Sequence, residues 1–206
     1  MKNIEIIENY IEELFPDPKC ELNYKKDYEL LISVMLSAQT TDKRVNIVTK
    51  ELYEKYNSLN SLKEADINDI KRIIHSLGNY NKKSEYIKEI STILVDKYNG
   101  IVPKTREELE NLPGVGRKTV NLFLSELDIE PQFAVDTHVH RVSKRLNLAN
   151  ENDDVLETEM KLRESFKKEV WNRRNMQLVL FGRYHCKAVK PECDNCKLKD
   201  ICRGVK

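Results

Sequence analysis

The chain has 206 residues, enough to bury a core as one large domain or two small ones. Charged residues make up 33% and apolar residues 40%, an ordinary balance for a globular protein. No apolar run approaches the roughly 18 residues of a membrane span. The N-terminus, MKNIEIIENYIEELF, is acidic and amphipathic and lacks the apolar segment of a signal peptide. These features exclude a membrane-spanning chain and point to the reducing cytoplasm, where clustered cysteines serve more often as metal or cluster ligands than as disulfides.

The net charge is only +1, but its distribution is uneven. From Lys161 to Lys206 there are 13 Lys and Arg against 5 Asp and Glu, so the tail carries about +8 and the rest about −7. A solvated basic surface and a footprint for phosphates both fit that asymmetry.

Helical periodicity dominates in chain order. Ile4, Ile7, Ile11 and Leu14 form a first stripe. Tyr28 to Leu36 is apolar nearly all round, which predicts a central, buried helix. Val45, Val48 and Leu52 form the next stripe. Ile67, Ile70, Ile74 and Leu77 follow, with Gly78 as a C-terminal stop, and then Ile87, Ile90, Leu94 and Tyr98, closed by Gly100. Val139, Val142 and Leu146 mark a later helix, Val155 to Phe166 another, and the last runs roughly from Val170 to Tyr184. No stretch alternates with period two for long enough to form a strand. The fold class is all-α, without repeats or long linkers.

Between these elements lies TREELENLPGVGRKTVNLFLSEL, Thr105 to Leu127, adjusted to the helical pattern on either side of a tight turn. Thr105 and Glu108 read as a capping box for a short helix that Pro113 and Gly114 stop. A second helix begins near Gly116 and buries Val120, Phe123, Leu124 and Leu127. Gly114 and Gly116 allow close backbone approach, and the turn offers N–H groups at a helix N-terminus, a natural phosphate site. The block LPGVGRKT resembles the helix–hairpin–helix motif of DNA repair glycosylases.

Lys118 falls in the first turn of that second helix. The positive end of the helix dipole and partial burial should both disfavour its charged form, and a neutral amine is what a nucleophile or Schiff-base former needs. A surface phosphate contact is the plainer role. Asp136 precedes the stripe of Val139, Val142 and Leu146, which makes it an N-cap candidate whose backbone bonds keep it ionised. A carboxylate repels phosphate, so one in a DNA site suggests catalysis: stabilising positive charge at a sugar C1′ and taking a proton from an attacking amine. His138 and His140 read as helix-surface or packing residues.

The tail holds Cys186, Cys193, Cys196 and Cys202 in the spacing C-x6-C-x2-C-x5-C. Four thiolates at short loop spacing can bind zinc or an iron–sulfur cube. A [4Fe–4S]²⁺ core with four thiolates carries about −2, which Lys187, Lys190, Lys197 and Lys199 would partly offset. Cys20 stands alone and reads as an ordinary thiol.

Together, LPGVGRKT, AVDTHVHRV and GRYHCKAVKPECDNCKLKDIC resemble the endonuclease III family of helix–hairpin–helix DNA glycosylases, and LLISVMLSAQTTDKRVN is similar to that family's central helix and the turn after it. The resemblance spans nearly the whole chain. It implies a [4Fe–4S] cluster on the four cysteines rather than zinc. It implies a six-helix domain over 21–131 carrying the hairpin, and a second helical domain from 1–20 with 132–206, whose cluster loop runs over 186–202, with damaged double-stranded DNA in the cleft between. It further implies a monomeric, bacterial or archaeal glycosylase and AP lyase that removes oxidised pyrimidines and cuts 3′ to the abasic site by β-elimination. Lys118 is then the nucleophile and Asp136 its partner. Gln39 fills the space left by the flipped base. The accompanying candidate DNA contacts are Asn79, Gly114, Val115, Gly116, Arg117, Thr119, His138 and Lys190.

Two related enzyme types, the adenine glycosylases and the mismatch thymine glycosylases, typically lack the lysine. A non-catalytic DNA-binding iron–sulfur protein with a redox role is the alternative from another class, and it would need no amine paired with a carboxylate. The sequence departs from the family at Asn79, in LGNYNKK, where a bulky apolar wedge is usual.

Overall fold

The computed structural model describes residues 2–205. Among them every regular element is helical, and no helix is long and apolar enough to cross a membrane. The chain divides into two compact units, residues 21–123 and residues 1–20 with 124–206.

In the unit of residues 21–123, α2 (Asp27–Leu36) is the central helix, with all ten residues but Asp27 buried. Its apolar residues fall on every side, and Glu29 and Ser33 are buried with them, so neighbours must cover it all round. Helix α3 (Asp42–Lys55) begins at Thr41, whose hydroxyl accepts from the Arg44 N–H, and turns Val45, Val48 and Leu52 inward. Helix α4 (Leu59–Glu64) starts from a reciprocal capping box between Ser58 and Ser61. Helix α5 (Ile67–Ile74) is capped by Asp66, and α6 (Tyr80–Tyr98) packs against α2, α4 and α5. Helices α7 (Arg106–Glu110) and α8 (Arg117–Glu126) form the hairpin. The expected capping box at Thr105 is only half formed.

The stop after α5 also differs from the expectation. Gly78 does not take the left-handed conformation. Asn79 does, at φ 56°, immediately ahead of α6. Asparagine tolerates this region better than other residues with a Cβ, so the turn does not depend on the glycine.

The other unit joins both chain ends. Helix α1 (Lys2–Leu14) packs on α11 (Trp171–Leu180), burying Ile7, Tyr10 and Ile11 with Phe133, Val139, Val142, Leu178 and Phe181. Helices α9 (Thr137–Arg145) and α10 (Val155–Ser165) complete it. Residues 181–185 continue α11 as one π-helical turn. A Cβ at Gly182 would come within 2.9 Å of the His138 Cβ, so only glycine lets this turn lie against α9.

A polar clasp fastens α1 to α11. The Glu12 carboxylate accepts from Arg173, from Arg174 at 2.8 Å and from the Gln177 amide at 2.9 Å. These bonds, with Arg173 the largest influence, hold the Glu12 pKa down at about 2, against 4.5. A depressed carboxylate pKa stabilises the fold above the unfolded value and is lost as pH falls through the folded one. Glu12→Gln should therefore cost about 1 kcal/mol near neutrality, a value kept small because the carboxylate is 39% exposed and water screens it. Denaturant titrations of both proteins should converge between pH 4.5 and 2. A constant difference across that window would show that the clasp is not electrostatic.

Candidate functional site

The hairpin turn is built on one aromatic ring. Gly114 has φ +73°, and a Cβ there would lie 2.4 Å from the Tyr86 ring of α6. Conformation and contact both require glycine. Gly116 has an ordinary φ, and a Cβ there would meet open space. Val115 is buried, and its N–H donates to the Leu112 carbonyl at 3.1 Å. Val115 therefore helps to shape the turn. The Val120 N–H closes the first turn of α8 on the Gly116 carbonyl. The positive end of a helix suits an anion.

Arg117, Lys118 and Thr119 open α8, with Arg117 and Lys118 exposed and Thr119 partly so. The partial burial expected of Lys118 is thus corrected: its side chain reaches solvent, because it projects from the start of the helix, away from the stripe of Val120, Phe123 and Leu124.

Asp136 belongs to the other unit and caps α9. Its Oδ1 accepts from the N–H groups of His138 and Val139, both at 2.8 Å. The same oxygen takes both bonds, so Oδ2 has no part in the cap. His138 lies within 3.4 Å of an Arg141 nitrogen through its Nδ1, and the His140 Nε2 is 3.0 Å from the Asp153 carbonyl.

The four tail cysteines line one small cavity of about 20 Å³, together with Leu146, Phe181, His185 and Pro191. Cys186 is buried and the other three partly so. Burial pushes the Cys196 and Cys202 thiols up, with the neighbouring thiols adding to the effect. Among the described residues, no three His, Cys, Asp or Glu side chains converge tightly enough to hold a single ion. Two of the four lysines expected to offset a cluster are already engaged. Lys187 pairs with Glu192 at 2.7 Å and Lys197 with Glu13 at 2.6 Å.

Two arginines of α9 supply what the sequence reading missed. Arg145 donates to the Cys186 Sγ at 3.3 Å and to the Lys187 carbonyl at 2.8 Å. Arg141 donates to the carbonyls of Gly182 at 2.7 Å and Cys186 at 3.1 Å. Helix α9 therefore begins at Asp136 and ends on the first cysteine. These contacts bridge more than forty residues, so no local pattern announces them.

Gln39, Asn79 and Lys190 share a backbone feature. All three are exposed and left-handed, with φ of 57°, 56° and 51°. The other non-glycine residues of positive φ among those described are Asn or Asp. Gln39 and Lys190 have no such side-chain tolerance, so their conformations cost about 1 kcal/mol each. Strain of this kind gathers at functional sites.

Gly114→Ala is expected to cost about 2 kcal/mol or more, from the φ penalty and the displaced Tyr86 ring together. Gly116→Ala should stay within about 0.5 kcal/mol in stability, since a Cβ there meets nothing. Denaturant midpoints of the two variants test this. Equal losses would contradict the packing described for the turn.

The family of HhH-GPD superfamily base excision DNA repair proteins matches residues 32–168. Endonuclease III of Bacillus subtilis (strain 168) is 43% identical over 203 residues, covering 98% of this chain and 93% of the relative. A solved non-covalent endonuclease III–DNA complex shares 44% identity at a TM-score of 0.94, covering 98% of this chain and 94% of the other. A trapped endonuclease III–DNA covalent intermediate, an estranged-adenine complex, shares 46% at a TM-score of 0.91, covering 95% and 92%.

Proposed function

This chain belongs to the endonuclease III family and is a base-excision DNA glycosylase with AP lyase activity, and we propose that Lys118 is its nucleophile and Asp136 the carboxylate that serves it. The observation that carries the assignment is the placement of both groups at helix starts. Lys118 is an exposed amine on the hairpin turn, and Asp136 is a carboxylate whose cap leaves one oxygen out of the backbone bonds.

The substrate is an oxidised pyrimidine in double-stranded DNA. The target nucleotide leaves the stack, because its C1′ cannot be reached inside the duplex. The hairpin N–H groups and the basic tail hold the flanking phosphates. The Lys118 amine attacks C1′ as the C1′–N bond to the base breaks, and the base departs as an anion that then takes up the proton Asp136 collects from the attacking nitrogen. Asp136 opposes the positive charge growing on the sugar and accepts the proton that the attacking nitrogen loses. Ring opening gives a Schiff base between Lys118 and C1′. Loss of a C2′ proton then expels the 3′ phosphate by β-elimination, and water releases the lysine. The endonuclease III captured as a covalent intermediate with DNA supports a covalent route here.

The four thiols that line one cavity would hold the [4Fe–4S] cluster that the resemblance to endonuclease III implies. The cluster, when bound, crosslinks the tail through four Fe–S bonds. Arg145 on the Cys186 sulfur and Arg141 on its carbonyl tie that crosslink to α9. The enzyme acts as a monomer on nucleoid DNA in the cytoplasm.

Borohydride should trap the protein covalently on abasic-site DNA. Lys118→Ala should lose the adduct while retaining DNA affinity within about threefold. Normal trapping by the variant would remove Lys118 from the mechanism. The purified protein should be brown and hold iron and sulfide in equal amounts, about four of each per chain. One zinc per chain in a colourless protein would contradict the cluster.

Asn79 replaces an apolar wedge with a side chain that can both donate and accept. It makes no capping bond, so its amide can address the edge of the widowed base. Asn79→Gly keeps the left-handed turn and removes the amide. It should flatten opposite-base preference by about fivefold, in single-turnover excision opposite each of the four bases. An unchanged profile would leave Asn79 as turn chemistry alone.

A further inference from the structure

Lys83 is 5% exposed and plays no part in the chemistry above. Its ammonium is buried against oxygen atoms alone: the Leu36 carbonyl at 2.8 Å, the Ala38 carbonyl at 2.8 Å and the Thr40 hydroxyl at 3.5 Å. These use the three donors of an ammonium, and none of the three is an anion. Burying a charge without a counter-ion is costly, and desolvation pushes the Lys83 pKa down. A lysine that only capped the C-terminus of α2 could stop at Leu36. This one reaches past the helix to Ala38 and Thr40, the residues on either side of the left-handed Gln39. Its own backbone N–H donates to the Asn79 carbonyl at 3.0 Å, where the second left-handed turn enters α6. A side chain in the first turn of α6, anchored by its helical N–H bond to Asn79, is thus bonded to the Gln39 turn forty positions earlier.

We propose that Lys83 is a positioning residue that ties the Gln39 turn to the Asn79 turn, so that the two side chains meet DNA as one preset unit. The tie holds Gln39 in a backbone region that glutamine does not favour. It makes entry beside the vacated base and contact with its widowed partner a single event. The functional half rests on the reading of Gln39 and Asn79 as DNA contacts. The physical half, that one ammonium in the first turn of α6 holds the Gln39 turn, does not.

Two measurements on the full-length protein separate these halves. In free Lys83→Met protein, amide hydrogen exchange should rise at least tenfold in residues 37–40 and also in 79–83. Lys83→Arg, which keeps the charge and the donors, should restore slow exchange in both. Acceleration in 37–40 alone, or in neither segment, would overturn the tie. In single-turnover excision of thymine glycol, Gln39→Ala should slow the wild-type background about tenfold but the Lys83→Met background less than twofold. Cleavage of a preformed abasic site should change little in the Lys83→Met protein. Losses that multiply independently would overturn the coupling. A Gln39→Ala protein that excises normally would refute the DNA role of Gln39 and with it the functional half, while the exchange result decides the tie. Where Lys83→Met does not fold, Lys83→Gln, which keeps a donor but is too short to reach both carbonyls, is read by the same two assays.

Discussion

The Asp136 cap is the interaction on which the rest of this site depends. Two backbone N–H groups, both 2.8 Å from Oδ1, fix the carboxylate and start α9 at the same time. A side chain held by two bonds to a helix end cannot swing away, so its second oxygen has a set direction without needing a pocket of its own. The helix it starts then carries that order through its own unit. Val139 and Val142 enter the core, Gly182 lets the π-helical turn lie against His138, and Arg141 and Arg145 secure Cys186. The proposed carboxylate and the first cysteine of the tail are two ends of one short helix. A tail crosslinked by a cluster would brace α9 from its far end, giving the cysteines a mechanical role beside any redox one.

The two proposed reactive groups are held by opposite means. Asp136 is restrained by hydrogen bonds. Lys118 is exposed, and what is rigid about it is the turn beneath, where Gly114 rests on the Tyr86 ring. A long side chain on a fixed base suits a nucleophile that must reach a sugar, remain bonded through ring opening and elimination, and be released. On the proposed reading the same turn would hold the backbone of the nucleotide beside the lysine, so that recognition and attack share one element.

Much of this was legible in the sequence. The 3.6-residue stripes located most helices, because each has one face in a core, and the blocks LPGVGRKT and AVDTHVHRV marked the turn and the cap through residue types that backbone geometry demands. Helix α4 escaped, since six residues with only Leu59 and Leu62 buried cannot show a period. The exposure of Lys118 was misjudged because a position in the first turn does not reveal which way the side chain leaves the helix. Arg141, Arg145 and Lys83 were invisible for a different reason. Each looks like a surface charge in its own segment, and its acceptors lie more than forty residues away. The left-handed states of Gln39 and Lys190 were equally hidden, because their residue types argue against that conformation.

The central claim is that catalysis passes through a covalent bond to one lysine on the hairpin turn. Its most direct test is peptide mass spectrometry of the complex reduced on abasic-site DNA, after nuclease and protease digestion. The account predicts a single modified peptide, with the reduced sugar remnant on the Lys118 nitrogen. A remnant on another lysine or on the N-terminal amine would contradict it, whatever the activity of the Lys118 variants.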